Sequence, residues 1–371
     1  MSKHEIRKSE NKKFYEAQSQ LATAAMEKTL ELCEIGSPTG FTHEIEGLVM
    51  QELRELGFQP WQSVKRGVWC CLDRNSSQAD AKADDEALLL AAHVDTLGLM
   101  VRYIKGDGRI RLTLLGGYPY NYVEQENVTV VTREGKRYEG TIHLVNPSVH
   151  ASREVNDLKR DDSNVELVLD EQVESAEDVR ALGIEHGDYV ILESRARLAG
   201  DGFLKSRHLD DKASAAMLLV LAREVAEGRL QPQRKVYIYF SNYEEVGNGA
   251  AAGHPIGIRD MIAVDMGVVG HDLSTNEYKL SICPKDSSGP YDYHFTDELV
   301  KLAQSLELEY CLDIYPFYGS DASCARSAGY DYRFALLGTG VANSHGYERI
   351  HKRGVSSTIA LLSALIAGRQ A

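Results

Sequence analysis

The sequence predicts an α/β fold interrupted by a β-rich insertion, and three observations carry that reading. Short continuous apolar runs, among them ALLLAAH at 87–93 and KVYIYFS at 235–241, have the length and texture of strands buried on both faces. Helical stretches alternate with these runs on either side of the middle third. Between about Leu99 and Ser194 the alternation stops, and short β-like runs follow one another, separated by Gly, Asp and Asn.

Taken in order, the elements begin with two amphipathic helices. LATAAMEKTLELC, within Gln18 to Cys33, and EIEGLVMQELRELGF, at 45–58, repeat apolar residues at helical spacing, with a Gly36-Ser37-Pro38-Thr39-Gly40 turn between them. VWCCLD reads as a strand, NSSQADAKADDE (75–86) as a solvated loop, and ALLLAAH as a buried strand. The insertion holds LMVRYI, RIRLTLL, NVTVVTREGKRYEGTIHLV, VELVLD and DYVILES, with one small helix near Ser175 to Leu182. Alternation resumes with a helix at DDKASAAMLLVLAREVAEG, strands at KVYIYFS and MIAVDMG, and a helix at YHFTDELVKLAQSLEL. RFALLG (strand) and VSSTIALLSALIAG (helix) complete the chain.

Composition narrows the function. The chain has 371 residues, enough for two domains, and its 55 acidic against 41 basic side chains give a formal net charge of −14. Nucleic-acid binding needs a basic face, and no dense Lys/Arg run is present, so nucleic acid is excluded as a partner. No apolar run reaches the ~18 residues of a membrane span, and the charged start MSKHEIRKSENKKFYEAQ is unlike a secretory leader. Six cysteines, at 33, 70, 71, 283, 311 and 324, form no Cys-x-x-Cys pair. A cytoplasmic protein without membrane or disulfide framework is expected.

Candidate ligands cluster at element boundaries. Three predicted strands run into His93-Val94-Asp95, Glu244-Glu245 and Asp265, and Asp210-Asp211 opens a helix. In open α/β sheets, sites form in the crevice beyond the carboxyl ends of strands, so these tips can converge. Residues i and i+2 of an extended segment face the same way, so His93 can ligate a metal while Asp95 bonds its other ring nitrogen. Of the adjacent Glu244 and Glu245, one can bind metal while the other acts as general base. The two oxygens of Asp210 can lie between two ions ~3.5–4 Å apart. Each motif alone has a plainer reading, as a strand-end histidine, a helix N-cap, a solvated face or a turn. Their joint occurrence, in order, favours a metal site. His345 and His351, in NSHGYERIH, are both open as a further ligand. GSDASCARSAG (319–329) reads as a turn capping a short helix, and GNGAAAG (247–253) as a small-residue turn rather than a dinucleotide fingerprint.

At AAHVDTLGLMV, GTIHLVNPSVH, ALGIEHGDYVILES, RHLDDKASAA, SNYEEVGNGAA, IAVDMG and GSDAS the sequence resembles family 42 of the metallopeptidases. These are the dinuclear aminopeptidases that include glutamyl and deblocking aminopeptidases and the tetrahedral self-compartmentalising peptidases. The resemblance runs from about residue 25 to 365. It implies a mixed-sheet, zinc-aminopeptidase-like α/β catalytic domain (1–96 plus 204–371) with an inserted β-barrel-like domain used in assembly (97–203). It further implies two divalent ions per subunit, zinc with cobalt or manganese as alternatives. His93 would bind one ion, Asp210 both, and Glu245 and Asp265 one each, with His345 completing the second site. Glu244 would be the general base acting on a metal-bridging water, and Asp95 would orient His93. The substrate would be a short peptide, and dimers building up to dodecamers the expected assembly. Relatives usually carry His-Ser-Pro-x-Glu where this chain has His345-Gly346-Tyr347-Glu348, which leaves His345 and His351 to be decided between. The rivals are a hydrolase of the same fold acting on an acylated amino acid or a modified dipeptide, and an inactive assembly protein. A glycosidase using Glu244 and Glu245 is disfavoured, because adjacent residues are poorly placed to hold carboxyls ~5–9 Å apart.

Overall fold

The computed structural model describes residues 3–76, 80, 82 and 86–369, with side chains from residue 17 onward. Most of the 75–86 loop expectation falls outside these residues. The body is a ten-stranded mixed sheet. Its centre is four parallel strands in the order Val236–Ser241, Ala87–His93, Ile258–Val264 and Arg333–Val341. An antiparallel strand flanks each side, Val68–Cys71 on one and Leu280–Asp286 on the other. Because the four central strands are parallel, their carboxyl ends all emerge on one edge.

Both faces are covered, as the continuous apolar runs require. Along Ala87–His93 the side chains alternate, with Leu88, Leu90 and Ala92 entering one core and Ala87, Leu89 and Ala91 the other. The first core is closed by the opening helix, whose Ala22, Ala25, Met26 and Leu32 form its buried stripe, and by helices His43–Glu55, Leu209–Ala226, Tyr293–Ser305 and Lys352–Ile366. Leu209–Ala226 is buried nearly all round. The second core packs a ladder of aromatics, Trp69, Tyr237 and Tyr239, against the short helix Asp321–Ser327. Adjacent Cys70 and Cys71 enter opposite cores, as a strand demands.

The β-rich texture is a closed six-stranded barrel whose strands lie between Gly98 and Leu192. It has its own core, in which Leu99, Val101, Val128, Val130, Ile142 and Val190 alternate inward, and closure leaves its strands without free edges. The small helix is Ala176–Ala181, capped by Ser175. Four strands are not legible from pattern. Leu280–Asp286 contains Pro284, and Tyr310–Ile314 is a short edge strand. Phe203–Ser206 and Glu348–His351 pair across about 145 residues of chain, so neither shows a local signal.

Candidate metal centre

The site lies at the edge where the parallel strands end. Ala87–His93 delivers His93 and, two residues on, Asp95. Val236–Ser241 leads through Asn242 and Tyr243 to a single turn holding Glu244 and Glu245. Ile258–Val264 is followed at once by Asp265, and Arg333–Val341 leads into the loop carrying His345. Asp210 and Asp211 arrive from the opposite direction, at the start of the buried helix.

These side chains meet. His93 Nε2 lies 3.1 Å from Asp210 Oδ1 and 3.8 Å from Glu244 Oε2. His345 Nε2 lies 3.4 Å from the other Asp210 oxygen and 3.7 Å from Glu245 Oε2. Asp210 thus sits between the two histidines, one oxygen toward each. Two sets of ligand atoms, His93 with Asp210 and Glu245, and His93 with Asp211 and Asp265, each lie within 4.8 Å of one another.

The imidazoles are oriented from behind. His93 Nδ1 donates to the main-chain carbonyl of Asp95 at 2.8 Å, while the Asp95 carboxylate stands 3.7 Å away. This differs from the expected carboxylate bond. The carboxylate is engaged by the backbone N–H groups of Glu244 and Glu245, at 3.1 and 3.3 Å, and by the Thr39 hydroxyl at 2.7 Å. Asp95 therefore pins the Glu-Glu turn as well as His93. His345 Nδ1 donates to the carbonyl of Gly117 at 2.7 Å, so in the neutral tautomer both histidines turn an Nε2 lone pair to the centre. His351 is elsewhere. Its Nε2 donates to the Asp201 carbonyl, and its Nδ1 accepts from Arg353 N–H as the cap of the last helix.

The electrostatics are those of several buried carboxylates crowded around two imidazoles. Burial and then the charge of Asp210 push the Glu245 carboxyl up to about 8, and the same two causes push Asp265 up to about 7. Burial also raises Asp211, reinforced by Asp265, and Glu244. Asp210 goes the other way, because its bonds to His345 and His93 outweigh burial. Burial would lower His93, yet the Asp210 hydrogen bond and the neighbouring carboxylates hold it well above its ordinary value. Glu245 Oε1 and Asp211 Oδ1 are buried with no hydrogen-bond partner. Buried unpaired oxygens among mutually repelling carboxylates fit cations, and the mix of imidazole and carboxylate donors suits borderline divalent ions.

Sequence reasoning named Asp211 only with Asp210 in a cluster and Glu348 only as the end of the His345 motif, and gave neither a role in the site. Asp211 accepts the backbone N–H of His93 at 3.2 Å, and Glu348 accepts from His345 N–H at 2.8 Å and Asp210 N–H at 3.1 Å. The His345 loop, one residue shorter than the family pattern, is thus still tied back by its glutamate. A cleft of ≈ 970 Å³ opens beside the cluster, lined by Asp210, Glu244, Glu245, Asp265 and His345 on one side and by the Asp321–Ser327 helix on the other.

A family model described as M42 glutamyl aminopeptidase matches residues 76–361. The chain belongs to the M42 aminopeptidase family. It is accordingly a hydrolase of peptide bonds. It is 41% identical over 337 residues to a putative aminopeptidase, YhfE, of Bacillus subtilis, covering 91% of this chain and 95% of that one. Among solved structures it resembles an aminopeptidase from the archaeon Desulfurococcus kamchatkensis, with a TM-score of 0.80 at 21% identity, covering 94% and 96% of the two chains. It also resembles the TET1 peptidase of Pyrococcus horikoshii, described as able to assemble into a tetrahedron or a large octahedral shell. There the TM-score is 0.79 at 21% identity, with 92% and 99% covered. These M42 and TET folds share the α/β body with its inserted barrel. Among the described residues no helix is long and apolar enough to cross a membrane.

Proposed function

We propose that this M42 enzyme removes N-terminal residues from short peptides with two divalent ions, zinc being the first choice and cobalt or manganese the alternatives. The observation that carries the reading is the placement of Asp210 between His93 and His345, one oxygen toward each imidazole. His93 and Asp265 would hold one ion, Glu245 and His345 the other, and Asp210 both. When bound, the pair would polarise the scissile carbonyl and bring a water's pKa toward about 7.

The chain's own residues supply the rest. Glu244 sits on the same turn as Glu245, so one can be a ligand while the other takes the attacking water's proton and returns it to the leaving amine. The low-dielectric pocket that raises Glu244 suits a group that must accept and then release a proton. Asp95 keeps that turn in register with His93, and Thr39 keeps Asp95 in place.

We take residues 97–203 as the inserted module and 1–96 with 204–371 as the catalytic body, with the barrel serving assembly into a dimer-based homo-oligomer. The shells described for the TET1 peptidase support this. Six cysteines without a disulfide suit a cytoplasmic setting. The test is Glu244→Gln assayed on aminoacyl and N-acyl substrates. Turnover of aminoacyl substrates should fall by about 10³-fold or more while two ions per chain are retained. Retained activity would remove Glu244 from its role, and cleavage of N-acyl substrates alone would favour the acylated-amide rival.

A further inference from the structure

The cleft beside the metal centre carries information about which N-terminal residue it accepts. Its far wall is one stripe of the Asp321–Ser327 helix and the turn after it, where Ser323, Cys324, Ser327 and Ala328 are spaced one helical turn apart and all are small. Phe317, almost fully exposed at 97%, lines the same cleft together with Val268. Glu245, with its buried unpartnered oxygen, lines it too, which ties this wall to the chemistry rather than to a separate hollow.

The wall has room, and its polar groups are already spent. Ser323 donates to the Ser320 carbonyl, Ser327 to the Ser323 carbonyl and Ser288 to Asp286. Cys324 donates its thiol to the Gly247 carbonyl. Among the described residues no Lys or Arg lines the cleft. The cations bonded to lining residues are engaged, Lys65 with the carbonyls of Asn248 and Gly249, Arg207 with that of Tyr122, and Arg326 with the Pro290 carbonyl and the Ser288 hydroxyl. The lining acids, Asp210, Glu244, Glu245 and Asp265, all belong to the metal centre.

Resting on the aminopeptidase reading, we propose that this wall selects an uncharged apolar side chain of leucine or methionine size at the substrate's N-terminus. Among the described residues, an acidic side chain meets no lysine or arginine in the lining, and a basic one meets no carboxylate outside the metal centre. Burying either charge unpaired is strongly unfavourable, whereas an apolar chain gains contact with methylenes, Phe317 and Val268.

The experiment compares kcat/KM for the full-length, metal-loaded enzyme on Leu-, Met-, Ala-, Glu- and Lys-aminomethylcoumarin, alongside the matching N-acyl amino acids. Leu and Met should exceed Glu and Lys by about 100-fold or more. Cys324→Arg, with bound metal measured as the folding control, should raise the Glu:Leu ratio at least about tenfold. A wild-type preference for Glu or Lys overturns the proposal, as does an unmoved ratio in a folded, metal-loaded Cys324→Arg. Cleavage confined to the N-acyl series overturns the aminopeptidase reading, and the side-chain order within that series then judges the wall. Silence in both series overturns both.

Discussion

The two halves of the metal centre are built differently. His93 and Asp265 stand on or directly after central parallel strands and are 2% and 4% exposed. Glu245 lies in a three-residue turn, and His345 hangs on a loop with Asn343 and His345 both at positive φ, its side chain 32% exposed. The sheet supplies rigidity to the first half at no extra cost. The second half is assembled from tethers: Glu348 to the His345 N–H, Gly117 to its ring, and Tyr347 to the Arg195 carbonyl. Gly117 lies in the segment after the barrel strand Ile110–Leu115, so the loop half leans on the insertion and the sheet half does not. A site needing one fixed and one adaptable ion position would be divided this way, with the adaptable side nearer the inserted barrel.

The sharpest way to break that comparison is at the residue both halves share. Asp210→Asn keeps the shape but removes the charge facing both histidines, so metal analysis should find both ions lost and turnover down by about 10³-fold or more. One ion bound with high affinity would show that the halves do not share Asp210. Glu348→Gln tests the loop half. Each Glu348 oxygen accepts one backbone N–H, and an amide offers only one acceptor. The variant should lose about 10–100-fold in affinity for the second ion while the ion on His93 and Asp265 stays. Equal loss of both would argue that the glutamate supports the centre as a whole.

How much of this was legible in the sequence follows the same division. His93, Asp265 and the Glu-Glu pair each follow a continuous apolar run, and such runs announce a buried parallel strand whose end is a site. The barrel showed as a change of texture, because its strands alternate over short spans between turns. The resemblance to the M42 pattern named His345, but periodicity alone left it level with His351. What separates them is contact at long range: His345 meets Gly117 across 228 residues, and His351 is spent on the Asp201 carbonyl and its own helix cap. Glu348 and Asp211 were named without a role for a related reason. They act by receiving backbone N–H groups from distant segments, which no local spacing encodes.

Exchange of the two histidines for alanine turns that distinction into a measurement of smaller size. His345→Ala should drop the metal content toward one ion per chain with little change in melting temperature. His351→Ala should keep two ions and cost about 1–2 kcal/mol, from the lost cap on Arg353 N–H and the lost bond to Asp201. Metal loss from the His351 variant with stability intact would reverse the assignment.

The smallest effect expected is away from the centre altogether, and it asks whether acid acts on the body or on the site. His254 lies beneath the sheet's aromatic face, stacked on Tyr330 at 4.0 Å between ring centres and edge-on to Trp69 at 5.1 Å. Its Nε2 donates to the Ala250 carbonyl at 2.8 Å. Burial, opposed by that bond and aided by the nearby Lys65 charge, lowers its imidazole from 6.5 to about 4. The folded chain therefore refuses a proton that the unfolded chain accepts, so the contribution is complete above pH 6.5 and is lost as pH falls toward 4. Between pH 7 and pH 5 this single group should remove about 2 kcal/mol of stability. His254→Phe keeps the stacking surface and deletes the titration, so its urea midpoint should fall less than the wild type's over that interval, with metal content unchanged. Parallel pH profiles for the two proteins would mean that the acid sensitivity of the chain resides in the crowded carboxylates and histidines of the metal centre instead.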